Sequence, residues 1–399
     1  MTPGPHPVVY TIQQIHVDEG GGYGLFASQD LGNTWSRVDE EGVPVGSLRA
    51  DPETGDLYVL SPLGVGRTAD GGRHWRLSPL GNPGCGYAYN SAVGAKLRFH
   101  PRNASRLYAV VACHLWTSAD AGRSWSALGE DVFWSIRGEL VQILDLSIDP
   151  RRPQTLHVAS HQGPFRSTDA GETWSSDTLG FVAAIAASRD GAVVAGGNGS
   201  WQSADGGESW VRRLRPIVMY NQFDEPEFER LVNRVRVDPA NPRIFYAEVQ
   251  ESGERHPPQV FTYIYRSTDG GRTWRRVLPS AYVMAIDPSD PRTLYALGNG
   301  VLRSRDRGES WQRISDFTAG PGVAYSGPQA DLAVDSFNRQ TLYAARHDGV
   351  WRSRDGGVTW SPLSNGLRGR PAYGVFPDPR RRGKIYVAAE GGLYEGVFP

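Results

Sequence analysis

The stretch STDAGETW at residues 167–174 carries the pattern that decides the fold. This pattern, Ser/Thr-x-Asp-x-Gly-x-x-Trp, occurs eight times along the 399 residues, and four fixed positions met eight times do not arise by chance. Self-similarity of this kind is typical of repeat architectures. The copies start at Ser28, Thr68, Ser118, Ser167, Ser203, Ser267, Ser304 and Ser353.

The residue types of the motif are those of a tight turn. In the copy at 167–174, the Ser167 hydroxyl and the Asp169 carboxylate can hydrogen-bond nearby backbone groups. Gly171 supplies a backbone conformation that a side chain would penalise, and Trp174 can start the next strand with its indole buried. We interpret each copy as a hairpin turn. The aspartates are therefore expected to be scaffold groups, because a catalytic group is not needed eight times.

A second pattern precedes most of these turns: an apolar strand, Asp-Pro, and a strand containing Leu-Tyr. Examples are VRVDPANPRIFYAEV at 235–249 and MAIDPSDPRTLYALG at 284–298. Alternating apolar residues predict strands on both sides, and proline fits the loop between them. We name the strands A (before Asp-Pro), B (Leu-Tyr), C (leading to the box) and D (from the box tryptophan). Four such strands form the blade of a β-propeller.

The number of repeats predicts a single all-β propeller domain over residues 1–399. Seven units hold all four strands, and both termini hold incomplete units that would close the ring together. This arrangement favours eight blades, with nine as the alternative because the two ends hold about six strands. The complete units start near Val45, Gly94, Val141, Phe181, Leu231, Ala281 and Ala330.

With its boxes and Asp-Pro strands, the chain resembles the BNR/Asp-box superfamily of β-propellers over nearly its whole length. The superfamily includes sialidases, xyloglucan-active endoglucanases, sortilin-type receptor ectodomains and a photosystem II assembly factor. The shared motif is scaffold, so the resemblance implies the fold and leaves the function open.

Loop lengths separate the two faces of the predicted propeller. The A–B turns and the boxes keep a constant length, whereas the B–C and D–A connections vary. Insertions on a rigid scaffold are where binding and catalysis concentrate, so we expect the functional site on the B–C/D–A face. The longest insertions cover about 77–96, 126–145, 211–234 and 250–264, and another covers 312–331.

These insertions combine aromatic and polar side chains that suit a carbohydrate, peptide or protein ligand. Within one of them, the segment 224–233 (DEPEFERLVN) predicts a short helix with Asp224 near its start. The expected ligand-binding residues are Tyr87, Tyr89, Asn90, Trp134, Arg137, Tyr220, Asn221, His114 and His161.

Carboxylates on the same face could serve a glycosidase, which needs two of them about 5–10 Å apart. Burial beside Trp134 or Tyr220 would raise the pKa of one of them for general acid catalysis. Asp145 and Asp331 share one register, as do Lys96 and Arg234, and ion pairs between blades are the expected use of these positions. The acids to test are Glu139, Asp145, Asp224 and Glu225.

His114, His161 and His347 follow strand B in their units and could bind a metal or a ligand carboxylate. Because His347 belongs to a remote unit, we expect no metal and no cofactor. Cys85 and Cys113 could form a disulfide or stay as two buried thiols.

A binding module is the favoured function, and a glycoside hydrolase is the alternative. Sialidases carry Arg-Ile-Pro near the N-terminus, but here only Arg215-Pro216-Ile217 occurs, mid-chain and in another order. Xyloglucanases place substrate between two propellers, whereas this chain has one.

Charge and hydropathy restrict the partners and the compartment. The net charge of −1 argues against nucleic acid, and no apolar run is long enough to span a membrane. We expect a monomer. The start MTPGPHPVVYTIQQ lacks a signal-peptide pattern, which favours a cytoplasmic protein or the mature form of a secreted one.

Overall fold

A computed structural model of the chain gives the architecture, and every element bounded within the described residues is a β-strand. The described residues are 9–15, 22–28, 36–37, 47–51, 54–61, 64–70, 74–80, 96–111, 114–129, 133, 141–214, 218–220, 226–228, 230–252, 260–279, 281–318, 331–346, 348–363, 372–377, 384–389 and 392–397. No helix in this part of the chain has the length and apolar character needed to cross a membrane.

Seven sheets of the described chain have four antiparallel strands each, paired in sequence order as a meander. The strands of the first three of these sheets are β4 (Ser47–Ala50), β5 (Leu57–Ser61), β6 (Gly64–Thr68), β7 (Arg76–Pro79), β8 (Lys96–Phe99), β9 (Leu107–Val111), β10 (His114–Ser118), β11 (Ser126–Ala127), β12 (Ile143–Ile148), β13 (Leu156–Ser160), β14 (Gly163–Ser167) and β15 (Ser175–Ser176). The strands of the next four are β16 (Val182–Ala187), β17 (Val193–Gly197), β18 (Gly199–Ser203), β19 (Val211–Arg212), β22 (Arg230–Val237), β23 (Phe245–Ser252), β24 (Val260–Ser267), β25 (Arg275–Leu278), β26 (Ala281–Ile286), β27 (Leu294–Gly298), β28 (Gly300–Ser304), β29 (Gln312–Ser315), β30 (Asp331–Val334), β31 (Leu342–Arg346), β32 (Gly349–Ser353) and β33 (Ser361–Pro362).

Three smaller sheets complete the described strands. One is a hairpin, and the other two have three strands each, near the two ends of the chain. Strand β34 (Ala372–Pro377) lies beside both β30 and β4, and β1 (Val9–Ile15) lies beside β36 (Gly392–Val397). The sheets therefore follow one another around a ring, which is the arrangement of a β-propeller. Whether the six terminal strands form one blade or two stays a prediction. The strands are β1 (Val9–Ile15), β2 (Gly22–Ser28), β3 (Ser36–Arg37), β20 (Val218–Tyr220), β21 (Pro226–Phe228), β34 (Ala372–Pro377), β35 (Lys384–Ala389) and β36 (Gly392–Val397).

The hydrophobic core lies between successive sheets. Tyr58 and Leu60 on β5 pack against Leu97 on β8 and Leu107 on β9, and all four are almost fully buried. Burying one leucine side chain contributes about 1.5–3 kcal/mol. Comparable clusters join each of the following neighbouring sheets. Each blade is therefore stabilised mainly by the faces of its neighbours.

The boxes are hydrogen-bonded turns, as their residue types predict. In the copy at 167–174, the Ser167 hydroxyl donates to Asp169 at 2.7 Å and accepts from the Gly171 amide at 2.8 Å. Asp169 also accepts from the Thr173 hydroxyl and from its amide, and these bonds, with that of Ser167, hold the pKa of Asp169 below its usual range. The hydrogen bonds described for this carboxylate therefore all lie within its own turn.

The box at 118–125 also joins its blade to the preceding one. The Tyr58 hydroxyl on β5 donates to the Ala121 carbonyl in the next box at 3.0 Å. Gly122 follows with φ +79°, and a Cβ atom there would lie 2.7 Å from the Tyr58 ring. Glycine is therefore required both by the backbone conformation and by the close approach.

Four of the described A–B turns share one pattern of hydrogen bonds. The Asp149 carboxylate accepts from the amides of Arg151 and Arg152 at 2.8 and 3.1 Å. The same bonds occur at Asp238, Asp287 and Asp335. The expected constant face is thus built from two kinds of fixed turn.

The helix expected over 224–233 is wrong. Pro226–Phe228 forms β21, which pairs with β20, and Arg230–Val237 forms β22. Proline disfavours the helical conformation of the residue before it, and Val232 has its side chain buried between sheets. Tertiary pairing outweighs the local helix preference of the acidic residues.

Candidate functional site

Most of the expected ligand-binding and catalytic residues lie outside the described part of the chain. Tyr220 lies on β20, where the backbone alone is described. The residues outside it are Tyr87, Tyr89, Asn90, Trp134, Arg137, Glu139, Asn221, Asp224, Glu225 and His347, together with Cys85 and Cys113. Their roles stay predictions.

The insertion 211–234 contributes an additional hairpin to the D–A connection. Val218 pairs with Phe228 and Tyr220 with Pro226, so the hairpin strands enclose the segment 221–225. That segment holds Asn221, Asp224 and Glu225. Strand β22 begins two residues after β21 ends, so the hairpin adjoins the first residue of β22.

The sheet β22–β25 extends further toward the B–C/D–A face than its neighbours. Strands β22, β23 and β24 have eight residues each, whereas the equivalent strands of the following sheet have five or six. This extension is the insertion expected over 250–264, and its strands pair out to Ser252 and Val260. It provides a rigid support for side chains on this face.

A polar group lies on the extension of this sheet. The Arg230 guanidinium donates to Glu251 at 2.8 Å, and the Tyr265 hydroxyl donates to the same carboxylate oxygen at 2.8 Å. The guanidinium also lies 5.9 Å from the centre of the Tyr265 ring. Burial, followed by the hydrogen bond to Glu251, raises the pKa of Tyr265. The tyrosine therefore stays protonated and holds the carboxylate in place.

Three further residues form what we call the upper aromatic cluster: Phe261, Tyr263 and Arg276. The ring centres of Phe261 and Tyr263 lie 6.4 Å apart, and the Arg276 guanidinium lies 4.7 Å from the centre of the Tyr263 ring. Phe261 is 39% exposed, which is unusual for so large an apolar side chain in this protein. An exposed aromatic surface beside an ion pair can stack on a sugar ring and bond its hydroxyl groups.

These six side chains were missing from the expected site, although three of them lie in the segment 250–264, where an insertion is expected. The signal was the alternation Phe261-x-Tyr263-x-Tyr265, which places three aromatic rings on one face of a strand. The expected site was placed on the longest loops, so it did not include this strand.

Asp145 links three sheets. Its carboxylate accepts from Arg98 on β8 at 2.7 Å, from the Leu146 amide on its own strand at 2.9 Å and from the Ile185 amide on β16 at 3.2 Å. The side chain is almost fully buried. Asp145 thus forms an ion pair between blades, but with Arg98, two residues after the expected position Lys96, and a carboxylate so bonded is poorly placed to transfer protons. A catalytic role for Asp145 stays a prediction.

The two described histidines of the expected site lie on the same face but have separate partners. His161 Nδ1 accepts from the Gln142 amide at 2.8 Å. His114 begins β10, and its ring centre lies 6.4 Å from that of Trp116. Among the described residues, no group of three or more His, Cys, Asp or Glu side chains is arranged to hold a metal ion.

The opposite face also carries a concave feature. A shallow cavity of about 620 Å³ opens between neighbouring A–B turns. Its walls are made by Pro101, Arg102, Pro150, Arg151 and Arg189. The A–B face is therefore not flat.

Comparison with known proteins agrees with the fold. The sequence profile of the BNR/Asp-box repeat matches residues 265–276. The xyloglucanase Xgh74A of Acetivibrio thermocellus is 31% identical over a match that covers 32% of this chain and 16% of that enzyme. The chain thus spans less than a fifth of the curated relatives that it matches.

Solved structures of similar fold share few residues with the chain. An ancestral GH74 enzyme has a TM-score of 0.50 at 16% identity, covering 89% of this chain and 53% of that one. YCF48 from Cyanidioschyzon merolae has a TM-score of 0.46 at 15% identity, covering 76% of this chain and 94% of that one.

The meander sheets arranged in a ring define a β-propeller. Its recurring Ser-x-Asp-x-Gly-x-x-Trp turns have the geometry described above, and the copy at 267–274 lies within the segment that matches the BNR/Asp-box repeat.

Proposed function

We propose that this propeller binds a glycan on its B–C/D–A face, with the upper aromatic cluster as the centre of the site. The observation that carries the proposal is the exposed Phe261 ring beside Tyr263 and Arg276. Sugar rings have apolar faces that stack on aromatic side chains and hydroxyl groups that need planar polar partners. Glu251 on β23 and Arg230 on β22, in the same sheet, supply such partners.

The residue types in the insertions also support a glycan site on the B–C/D–A face. The hairpin β20–β21 adjoins the sheet that bears the cluster, and the sequence between its two strands holds Asn221 and Asp224. A chain of several sugar units could then contact both the strand extension and the hairpin. Peptide or protein ligands are the alternative for the same surface.

The test is a titration with xyloglucan oligosaccharides, chosen because the curated relatives are named xyloglucanases. Tyr263→Ala removes the ring that stacks with Arg276, and we expect it to weaken binding about tenfold. Phe337→Ala is the matched control, since Phe337 is 46% exposed on an A–B turn. Equal effects of the two substitutions, or no glycan binding by the unmodified protein, would contradict the proposal.

Glycoside hydrolysis is the second candidate, favoured by the 31% identity to a xyloglucanase over part of the chain. It predicts release of reducing ends from xyloglucan. Glu139→Gln and Asp224→Asn would then abolish turnover while oligosaccharide affinity is retained. Affinity that falls in these variants, with no turnover by the unmodified protein, would favour the binding module.

A further inference from the structure

The innermost strands carry charged side chains at two levels. The first level lies four residues before the start of the A–B turn, and the second lies two residues before it. We call these residues, with Glu248 on β23, the central charged cluster. Its members are Arg49, Lys96, Arg98, Arg234, Arg236, Asp145, Glu248 and Asp331.

The cluster surrounds the axis of the ring. Arg49 on β4 lies within electrostatic range of Arg234 and Arg236, both on β22, a strand of a sheet that is not its neighbour. Lys96 on β8 is likewise in range of Arg234. Side chains of sheets that do not touch can approach one another only across the centre of a ring. These side chains therefore line a central channel.

The channel admits water although protein encloses it. Side-chain exposures are 32% for Arg98, 33% for Arg234 and 36% for Arg236. Burial nevertheless dominates the electrostatics of the same groups. It lowers the pKa of Arg49 to about 10, followed by the effect of Arg98. A narrow, partly hydrated passage accounts for both observations.

Positive charge exceeds negative charge in the described lining. Five cationic groups meet three carboxylates, which leaves an excess of two positive charges. Burial raises the pKa of Asp331 and lowers the pKa of Lys96 to about 8, so Lys96 still carries most of its charge at neutral pH. An enclosed charge that is not balanced is unfavourable, so a site of this kind attracts an anion.

Several of the cations are already held in place. Arg98 donates to Asp145 at 2.7 Å and to the Leu146 carbonyl at 2.7 Å. Arg234 lies 3.3 Å from Glu248. Fixed guanidinium groups bind oxyanions with little loss of side-chain entropy.

We propose that the central channel binds a small multivalent oxyanion, held by Lys96, Arg49 and Arg236. The shared chemistry is that of a phosphate or a polycarboxylate. This site is separate from the upper aromatic cluster and does not depend on the glycan proposal.

The experiment is calorimetric titration of the full chain with inorganic phosphate and, separately, with citrate, at constant ionic strength in chloride. We expect a Kd tighter than about 1 mM for at least one of them. Lys96→Met and Arg236→Met should each weaken binding at least about tenfold, whereas Arg272→Met, on an exposed box residue, should not. Phosphate binding alone would identify a phosphate-bearing ligand, and citrate binding alone would identify a carboxylate.

A second measurement needs no variant, in case the substitutions disturb folding. The chain has two lysines, Lys96 and Lys384. Amine labelling followed by mass spectrometry should show that the bound anion protects Lys96 and leaves Lys384 unchanged. Equal labelling with and without both anions, or binding weaker than about 1 mM for both, would overturn the proposal.

Discussion

His157 shows how one residue departs from the repeat. It lies on β13 at the position where Tyr58 lies on β5 and Tyr246 on β23. The hydroxyl of Tyr58 binds the carbonyl of the next box, but neither ring nitrogen of His157 has a hydrogen-bond partner among the described residues. Burial lowers the pKa of His157 to about 4, from the ordinary 6.5. The histidine is therefore neutral in the folded protein.

This shift predicts that stability falls at acidic pH. Between pH 6.5 and 4 the unfolded chain binds a proton at His157 that the folded chain does not, so the free energy of unfolding decreases as the pH falls. The slope is about 1.4 kcal/mol per pH unit at most. His157→Tyr restores the tyrosine of the other units and should remove this contribution. Denaturant unfolding at pH 7 and pH 5 measures it, and an equal pH dependence in the variant would exclude His157 as its source.

Trp174 predicts the scaffold role of the boxes. Its indole donates to the Gly171 carbonyl at 3.0 Å and lies 5.3 Å from the ring of Phe133, measured between centres. Trp174→Ala leaves a cavity between blades and should lower the free energy of unfolding by about 3–5 kcal/mol. Ligand affinity per folded molecule should not change. A variant of normal stability that has lost all binding would show that the box is part of the site.

At the scale of elements, the extended sheet β22–β25 depends on its polar group. Glu251→Leu removes the acceptor shared by Arg230 and Tyr265 and leaves their donors without it in a half-buried place. We expect a loss of about 1–3 kcal/mol in the free energy of unfolding. The control is Glu172→Leu, at an exposed position in a box. Arg266→Leu would be unsuitable because Arg266 forms an ion pair with Glu309. Equal stability of both variants would show that the polar group is dispensable.

The strands of the repeat were predictable from the sequence, and the irregular elements were not. Alternating apolar residues and the Asp-Pro turn recur in most units, so Leu294 and Tyr295 predict β27 from the sequence alone. The hairpin β20–β21 was expected as a helix, because its pairing depends on distant residues that periodicity does not report. The candidate site followed the same division. The face was inferred from loop lengths, while Phe261 and Tyr263 were added to the candidate site only from the contacts and exposure of their side chains in the structure.

The recurring bulge of the innermost strands is one of the irregular features that the sequence did not predict. The register shifts at the same position in five sheets, for example between Ile143 and Asp145 and between Val232 and Arg234. A bulge redirects the following side chain. It therefore orients Asp145 and Arg234 of the central charged cluster, which the sequence register could place but not orient.

For the molecule as a whole, the balanced charge predicts that nucleic acid is not a partner. The net charge is −1 and the excess of positive charge lies inside the channel, where a duplex cannot reach. Titration with labelled DNA and RNA at physiological salt should detect no tight binding. Submicromolar affinity with a steep salt dependence would reveal a basic surface outside the described residues.

The central claim is that a constant scaffold presents its ligand site on the B–C/D–A face. The most direct measurement is an experimental structure of the protein soaked with the oligosaccharide that binds best in solution. The account predicts a sugar ring stacked on Phe261 and Tyr263, within hydrogen-bond distance of Arg276 or Glu251. A sugar bound over the A–B turns, in the cavity beside Arg102 and Arg151, would contradict it.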